Sequence, residues 1–208
     1  MLASGSGVVV TGAARGIGRA LATKLAGEGC RVVVGDLDAA ELASVAEEIG
    51  AYAVPGDSAS VDGVKALVGA AKERLGEIDA WYGNAGIDRG RGLEASEEEW
   101  AASYEVNVMA HVRAAQLLVP AWVERGAGRY VVTASAAGLL TMLTAPAYSV
   151  TKHGAVAFAE WLSATYRHRG VVVQAICPQG VKTSMLERSA DLQDLLSHDV
   201  ALEPEQVA

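Results

Sequence analysis

The sequence has 208 residues, of which 51% are hydrophobic and 5% aromatic, and it carries a formal net charge of −8. This length suits a single domain, 1–208, whose core needs neither a metal nor disulfides for support. The acidic balance argues against a nucleic-acid partner, because phosphate binding requires a basic surface. Two cysteines, Cys30 and Cys177, are too few for a disulfide framework, and no leader precedes the first predicted strand. We therefore expect a cytoplasmic protein.

Six short Val-rich runs alternate along the chain with longer segments rich in Ala, Leu and Glu. Because the runs are continuously apolar, they predict strands covered on both faces, as in a parallel sheet with helices on each side. Helix starts are predicted at Asp38 with Glu41 and at Ser96 with Glu99, which have the spacing of capping boxes. The fold class is α/β. The six runs are GVVVTG, RVVVGD, AYAVPGD, IDAWYGNAG, RYVVTAS and VVVQAICP.

The uncharged stretch from Tyr130 to Thr151 has about the length of a membrane span. Gly138, Pro146 and several Ser and Thr residues interrupt it, and it divides more naturally into a strand, a loop and a helix start. We expect no association with a membrane.

A glycine-rich segment, TGAARGIGRALATKLAGEG, joins the first predicted strand to an amphipathic helix. Gly12, Gly16 and Gly18, with Ile17 between the last two, stand where the chain leaves the strand and opens the helix. In that position glycines permit a tight turn, the approach of a pyrophosphate to the helix N-terminus, and close packing of the helix on the sheet. The segment predicts a dinucleotide-binding site.

Two nearby charges bear on which dinucleotide is bound. Asp36 ends the second predicted strand about 20 residues after the glycines, as expected for a carboxylate that bonds the adenosine ribose hydroxyls. Such a carboxylate would repel a 2′-phosphate, so NAD is favoured over NADP. Arg15 argues in the opposite direction, because its guanidinium would pair with a 2′-phosphate unless it lies in solvent.

Tyr148 and Lys152 stand four residues apart, which on a helix places them on one face with their Cβ atoms about 5–6 Å apart. A fixed cation beside a phenol favours the phenolate and would bring its pKa, ordinarily near ~10, closer to neutrality. The pair then predicts an acid/base catalyst. The alternative is a surface tyrosine resting on a lysine stem, and the spacing alone does not decide between them.

Taken together, these motifs resemble the short-chain dehydrogenase/reductase family, and the resemblance runs nearly end to end. The glycines have the spacing TGxxxGxG of that family's cofactor loop, and the other elements follow in the family's order. They are GNAG at 83–86, Asn107 in YEVNVMA, Ser135 in VVTASAAG at 13 residues before Tyr148, and Lys152.

The resemblance implies a doubly wound Rossmann-type sheet of order 3-2-1-4-5-6, with the ligand crevice at the carboxyl ends of its strands. It assigns the catalytic roles to four residues. Lys152 would bond the nicotinamide ribose and lower the pKa of Tyr148, whose hydroxyl would exchange a proton with the substrate oxygen. Ser135 would hold that same oxygen. Asn107 would hold a water that connects Lys152 to solvent, or else be a buried amide with backbone partners.

The resemblance also implies further cofactor contacts. Asp57, followed by Ser58, is similar to the acid that accepts a bond from the adenine amino group, although a helix cap is an equal alternative. The remaining contacts are Asn84, Ala85 and Gly86 near the adenine ribose, and Pro178, Val181 and Thr183 around the nicotinamide carboxamide.

Three departures from the family pattern are visible. Gly83 replaces the first Asn of the usual NNAG, which should cost a hydrogen bond between strands, and Gln179 replaces a glycine beside the nicotinamide. The chain ends in ALEPEQVA, where the family usually adds a seventh strand and a helix. A protein ending there would expose an apolar edge on strand six, and we would expect oligomerisation or instability. The family's contact through helices near 97–124 and 148–168 predicts a homodimer or homotetramer.

Apolar side chains flank the predicted reaction site and suggest a hydrophobic alcohol or ketone. A substrate lid is predicted over 183–200, and no charged anchor indicates an acid or phosphate substrate. None of the four histidines has metal-ligand spacing, so no metal is expected. The apolar residues are Leu139, Leu140, Met142, Leu143, Met185 and Leu186.

The sequence thus predicts an oxidoreductase that transfers hydride between NAD(H) and a hydrophobic secondary alcohol or ketone, with Tyr148 as acid/base. Two alternatives stay open: an NADP-dependent carbonyl reductase of the 3-oxoacyl type, and a catalytically idle NAD-binding scaffold.

Overall fold

Six parallel strands form the sheet in a computed structural model, which describes residues 2–187 and 201–208. Their order is β3-β2-β1-β4-β5-β6, as the sequence predicts, and the chain reverses direction across the sheet between β1 and β4. This reversal opens a crevice at the carboxyl ends of β1 and β4. The strands are β1 (Gly7–Thr11), β2 (Arg31–Asp36), β3 (Tyr52–Pro55), β4 (Ala80–Gly83), β5 (Gly128–Thr133) and β6 (Val171–Ile176).

Helices cover both faces of the sheet. Successive residues of a strand point to opposite faces, so Val8 and Val10 pack in one core cluster with α1 and α2, whereas Val9 packs in the other with α3, α5 and α6. The continuous apolar runs therefore reflect burial on two sides. The helices are α1 (Gly16–Gly27), α2 (Ala39–Ile49), α3 (Val61–Leu75), α4 (Glu97–Tyr104), α5 (Ala110–Arg125), α6 (Pro146–Tyr166), α7 (Ser184–Glu187) and α8 (Pro204–Val207).

Side chains cap the N-termini of α2, α3 and α4, but not of α1. Ser96 and Glu99 form the predicted capping box at α4. Asp38 accepts a hydrogen bond from the Glu41 backbone at 3.2 Å, while the Glu41 carboxylate faces Arg19 at 3.9 Å, so only half of the second predicted box forms. No side chain caps α1, which follows the glycine turn. Its first N–H groups are therefore available to a ligand.

The helix predicted over 97–124 contains an irregular turn at its centre. Between α4 and α5, Glu105–Met109 forms a π-helical turn, in which backbone bonds skip one extra residue. Asn107 occupies the middle of this turn and is fully buried. The extra residue re-aims its side chain toward the carboxyl end of β4.

The C-terminal residues 201–208 pack beside the loop that follows β6. Val181 and Leu202 form an isolated parallel bridge, and Ala208 packs against the core cluster that contains α1. The lid predicted over 183–200 is described only from 183 to 187, and the remainder lies outside the described residues. Within the described part of the chain, no helix combines the length and apolarity needed to cross a membrane. Cys30 and Cys177 are free thiols.

Gly83 makes room for a buried histidine. His111, in the first turn of α5, is 2% exposed, and its ring packs against the end of β4. A Cβ atom on residue 83 would lie 2.5 Å from His111 Nδ1 and 2.8 Å from its Cε1. Burial, with a smaller effect of the Lys152 charge, lowers the pKa of His111 to about 3, so the ring is neutral. The departure from NNAG therefore has a packing reason.

We predict that Gly83→Ala destabilises the fold by about 1–3 kcal/mol, because the new methyl group overlaps the imidazole. Adding His111→Ala should relieve the overlap, so the double variant should lose less stability than the two single variants together. Urea unfolding midpoints provide the measurement. Gly69→Ala is the matched control, since a Cβ there meets nothing within 4 Å; equal effects at residues 69 and 83 would contradict the prediction.

Candidate active site

The glycine turn between β1 and α1 brings the backbone of α1 close to the crevice. Gly12 has φ +64°, and a Cβ atom on it would lie 2.8 Å from Ala85 Cα. A Cβ on Gly18 would overlap the Gly12 carbonyl oxygen. Side chains at either position would push the turn and the helix apart. Gly16 has φ +54°, and a Cβ atom on it would lie 3.0 Å from the Thr183 methyl carbon. The uncapped helix end and this close backbone approach fit a pyrophosphate.

Hydrogen bonds join the glycine turn to the GNAG turn after β4. Thr11 Oγ1 accepts from the backbone N–H groups of Asn84 and Ala85, each at 3.0 Å. The Asn84 side-chain amide donates to the carbonyl oxygens of Thr11 at 3.1 Å and Gly12 at 3.2 Å. Asn84 thus holds two strand ends together, and Ala85 and Gly86 follow along the floor of the crevice.

Asp36 stands beside the glycine turn, at the end of β2. Its carboxylate accepts from the backbone N–H of Ala14 and of Asp38, both at 3.0 Å. Arg15 forms an ion pair with Asp38 at the surface. Two carboxylates therefore lie beside the glycine turn, and the guanidinium of Arg15 is directed to that of Asp38.

The segment after β3 supplies the predicted adenine contacts. Asp57 accepts from the backbone N–H of Ala59 at 2.9 Å, and Ser58 is buried. Ser60, not Asp57, caps α3 by accepting from Gly63 at 3.1 Å. The helix-cap alternative for Asp57 is therefore wrong.

Tyr148, Ser135 and Lys152 come together at the carboxyl end of β5. Burial raises the pKa of Tyr148, a hydrogen bond with the Ser135 side chain lowers it, and the negative charge of Asp88 raises it. Lys152 is 3% exposed; its Nζ donates to the Thr133 carbonyl oxygen at 2.9 Å and lies 5.6 Å from the centre of the Tyr148 ring. Burial lowers the Lys152 pKa to about 8.

These contacts correct one expectation. The pKa of Tyr148 is raised rather than lowered, because desolvation of the buried phenol is the largest effect on it, while the Lys152 ammonium group bonds a backbone carbonyl. The surface alternative for the pair is wrong as well, since both side chains are buried.

Asn107 uses its whole amide group on the neighbouring turn. Its Oδ1 accepts from the Ile87 N–H at 2.9 Å, and its Nδ2 donates to the Ile87 carbonyl at 2.9 Å and to Thr151 Oγ1 at 3.0 Å. Asn107 is therefore a buried amide with backbone partners, which is one of the two interpretations that the sequence left open. A Cβ on Gly86 would lie 3.1 Å from Lys152 Nζ and 3.3 Å from Asn107 Oδ1, so a side chain there would crowd both groups.

The segment after β6 closes the other side of the crevice. The Pro178 carbonyl accepts from Ala136, next to Ser135, at 2.8 Å. Val181 is buried, and Thr183 reaches Gly16. Gln179, which the resemblance places beside the nicotinamide, is exposed.

Apolar residues adjoin Tyr148 on the substrate side. Met142 and Met185 pack against the small cluster that contains Tyr148. Leu139, Leu140 and Leu143 are 60–79% exposed, so core packing does not account for them. Leu186 is half-buried beside Gly180.

Sequence reasoning missed several partners in the site. Thr11, Thr133 and Thr151 contact the predicted residues, but short hydroxyl side chains near strand ends give no distinct signal. Asp88 does carry a signal, because an acid two residues after a GNAG turn stands at the crevice. Its side chain is 6% exposed. Across residues 2–187 and 201–208, no group of three or more potential metal-binding side chains occurs.

A glycine turn at the switch point of a doubly wound sheet, next to a buried tyrosine and lysine and a half-buried serine, fits a nucleotide-dependent oxidoreductase. The sequence model of the short chain dehydrogenase family matches residues 6–194, and this chain belongs to that family. The structure and the family together make it an NAD(P)-dependent oxidoreductase that uses a nicotinamide cofactor.

Named relatives and a solved structure agree. The 1-deoxy-11-beta-hydroxypentalenate dehydrogenase of Streptomyces exfoliatus is 37% identical over 188 residues, covering 86% of this chain and 68% of the relative. The 2,5-dichloro-2,5-cyclohexadiene-1,4-diol dehydrogenase of Sphingobium indicum is 36% identical over 207 residues, covering 97% and 80%. The crystal structure of 3-ketoacyl-(acyl-carrier-protein) reductase from Brucella melitensis complexed with NADH has a TM-score of 0.91 and 28% identity, covering 97% of this chain and 87% of that one.

The buried Lys152 predicts a pH-dependent stability. Its pKa falls from 10.5 to about 8 on folding, so between these values the unfolded chain binds more protons than the folded one. Stability should therefore rise with pH across this window, by at most about 1.4 kcal/mol per pH unit. Lys152→Met should lack this contribution. The free energy of unfolding in urea of the wild type, relative to that of the variant, should therefore increase steadily from about pH 7.5 to 9.5. Lys65→Met, at an exposed lysine of α3, is the control; parallel curves for Lys152→Met and wild type would refute the prediction.

Proposed function

We propose that this protein is an NAD(H)-dependent oxidoreductase acting on a hydrophobic secondary alcohol or ketone, with Tyr148 as its acid/base. The observation that carries the proposal is that the buried Tyr148 and Lys152, with Lys152 Nζ 5.6 Å from the centre of the Tyr148 ring, adjoin the half-buried Ser135 at the sheet edge that also holds the glycine turn. A proton donor and a hydrogen-bonding hydroxyl thus converge on one point. They face the same crevice as the dinucleotide-binding turn.

The proposed roles follow from this geometry. The nicotinamide supplies or accepts the hydride when bound. A phenol whose pKa burial raises is protonated at neutral pH, so Tyr148 is in the form that donates a proton to a ketone oxygen. Ser135 holds that oxygen in place and stabilises the negative charge that develops on it. In the reverse direction Tyr148 accepts the alcohol proton, and the nearby Lys152 charge favours the phenolate once it forms.

The substrate class is supported by the apolar side chains of Met142 and Met185 around Tyr148 and by the exposed Leu139 and Leu143. Relatives named dehydrogenases of a hydroxypentalenate and of a cyclohexadiene diol act on cyclic alcohols, as their names state. We propose a bulky, largely hydrocarbon secondary alcohol or the corresponding ketone.

NAD is the proposed cofactor, rather than NADP. Asp36 places a carboxylate next to Ala14 in the glycine turn, where a 2′-phosphate would meet a like charge. Arg15, the one cation of that turn, is paired with Asp38. The similar reductase from Brucella melitensis forms a crystalline complex with NADH.

A homodimer or homotetramer through α4, α5 and α6 is part of the proposal. Exposed apolar side chains on these helices support it, including Tyr104, Val150 and Trp161, the last of which stacks on Phe158. A mass of 21.5 kDa, that of the monomer, in sedimentation at micromolar concentration would contradict this part of the proposal.

The free thiols of Cys30 and Cys177 support a cytoplasmic location.

Tyr148→Phe should reduce kcat for secondary alcohols by about 100-fold or more, because the variant lacks the hydroxyl group that exchanges the proton. NADH binding, followed by its fluorescence, should be retained. Tyr52→Phe, on the distant strand β3, controls for loss of a phenol. Unchanged turnover in Tyr148→Phe would refute the assigned role, and a wild-type protein that binds NADH but turns over no alcohol or ketone would favour the idle scaffold.

The cofactor preference predicts at least a tenfold lower Kd for NADH than for NADPH, equal to about 1.4 kcal/mol. Asp36→Asn keeps the shape of the side chain and removes the charge. It should therefore reduce the difference between the two Kd values, mainly by lowering the Kd for NADPH. Calorimetric titration of both cofactors on both proteins measures this. Tighter binding of NADPH to the wild type would overturn the use made of Asp36.

A further inference from the structure

The loop from Gly86 to Gly92 approaches Lys152 at its start and the residue before Tyr148 farther along. At its start, Gly86 is next to Lys152 Nζ, and the Ile87 backbone is held on both sides by Asn107. Farther along, a Cβ on Gly90 would lie 3.0 Å from the Cβ of Ala147, the residue before Tyr148. The loop is thus fixed against the first turn of α6.

Asp88 lies in the middle of this loop. Because each residue spans at most about 3.6 Å, its Cα lies within about 7 Å of those of both Gly86 and Gly90. The carboxylate is 6% exposed and pairs with Arg91 at 2.6 Å. Its charge contributes to the pKa of Tyr148, after burial and the Ser135 hydrogen bond, which is consistent with a position close to the phenol.

A buried carboxylate is costly unless hydrogen-bond donors meet it. Arg91 is 39% exposed and lies toward the solvent side of the pair. An ionised carboxylate has about four lone-pair sites, so it can accept from Arg91 and from other donors at the same time. The side chains of Met142 and Met185, which pack against the cluster that contains Tyr148, are apolar. The site therefore combines a hydrocarbon surface with one strong acceptor that is separate from Tyr148 and Ser135.

We propose that Asp88 is a substrate-binding residue that accepts a hydrogen bond from a second hydroxyl group of the substrate, on a carbon other than the one that reacts. The substrate class is then a hydroxylated cyclic ketone or the corresponding diol. The inference rests on the proposed function and deepens it. A carboxylate substituent would be repelled by Asp88, so acidic substrates are disfavoured.

Matched pairs of ketones test the proposal on the wild-type enzyme with NADH. In 3- and 4-hydroxycyclohexanone a hydroxyl replaces the methyl group of 3- and 4-methylcyclohexanone, which are similar in size. The hydroxyl compound should have the higher kcat/KM for at least one position, by about 10- to 100-fold, the range of a hydrogen bond to a charged group. Because both members of a pair use Tyr148, the ratio cancels any effect on proton transfer.

Variants identify Asp88 as the source of this ratio. Asp88→Leu should reduce the ratio to about one or below, and Asp88→Asn, which keeps a neutral acceptor, should reduce it only in part. Arg91→Gln breaks the ion pair but leaves the acceptor, so it should keep the preference. Circular dichroism checks folding, and the wild-type ratio and Asp88→Asn remain decisive where Asp88→Leu does not fold.

The outcomes separate this inference from the proposed function. A wild-type enzyme with no hydroxyl preference at either position, or Asp88→Leu with the preference intact, overturns the role of Asp88. Loss of the preference in Arg91→Gln to the same degree as in Asp88→Leu would also overturn it, because the ion pair would then act only on the shape of the loop. Turnover retained by Tyr148→Phe would refute the proposed function instead.

Discussion

The hydrogen bonds between Thr11 and the turn at Asn84 and Ala85 hold the site together. They join the carboxyl ends of β1 and β4, the two strands at which the sheet reverses its order. Backbone groups at strand ends have no ladder partners, and leaving them unsatisfied in a buried crevice would cost about 1–3 kcal/mol each. One threonine hydroxyl and one asparagine amide satisfy four of these groups. The glycine turn on one side and Lys152 on the other are thereby held in a fixed relation to each other.

Burial shifts the pKa values of Tyr148 and Lys152 in opposite directions. Desolvation disfavours the charged form of each group, so it raises the pKa of the phenol and lowers that of the ammonium. Both groups are therefore moved toward their neutral forms. The attraction between phenolate and ammonium exists only after Tyr148 has given up its proton, and in a water-poor site it is stronger than in solvent. The four-residue spacing then matters for the charged state that forms during the reaction.

Local patterns in the sequence predicted the strands and the α/β class, and the family resemblance that these patterns carry implied the sheet order, which the structure confirms. Val-rich runs, glycines at a strand-helix junction and polar residues at strand ends are each visible in a few neighbouring letters. The environment of those residues depends on parts of the chain that are distant in sequence. The capture of Lys152 by the Thr133 carbonyl, the capture of Arg15 by Asp38, and the fit of His111 against Gly83 are all of this kind. No periodicity in the sequence reports such contacts, so the pKa of Tyr148 was predicted in the wrong direction.

The π-helical turn at Glu105–Met109 is an irregular element that positions the Asn107 side chain. Successive residues of a regular α-helix are rotated by about 100° around the axis. A regular helix from Glu97 to Arg125, without the extra residue, would therefore turn the Asn107 side chain by about 100° from its observed direction. The extra residue in Glu105–Met109 lets the Asn107 amide meet Ile87 and Thr151 at once. An amide at the centre of an apolar helix costs free energy unless every donor and acceptor is used. Here its bonds fix the start of the loop that carries Asp88, so the irregular turn supports both the lysine side and the substrate side of the crevice.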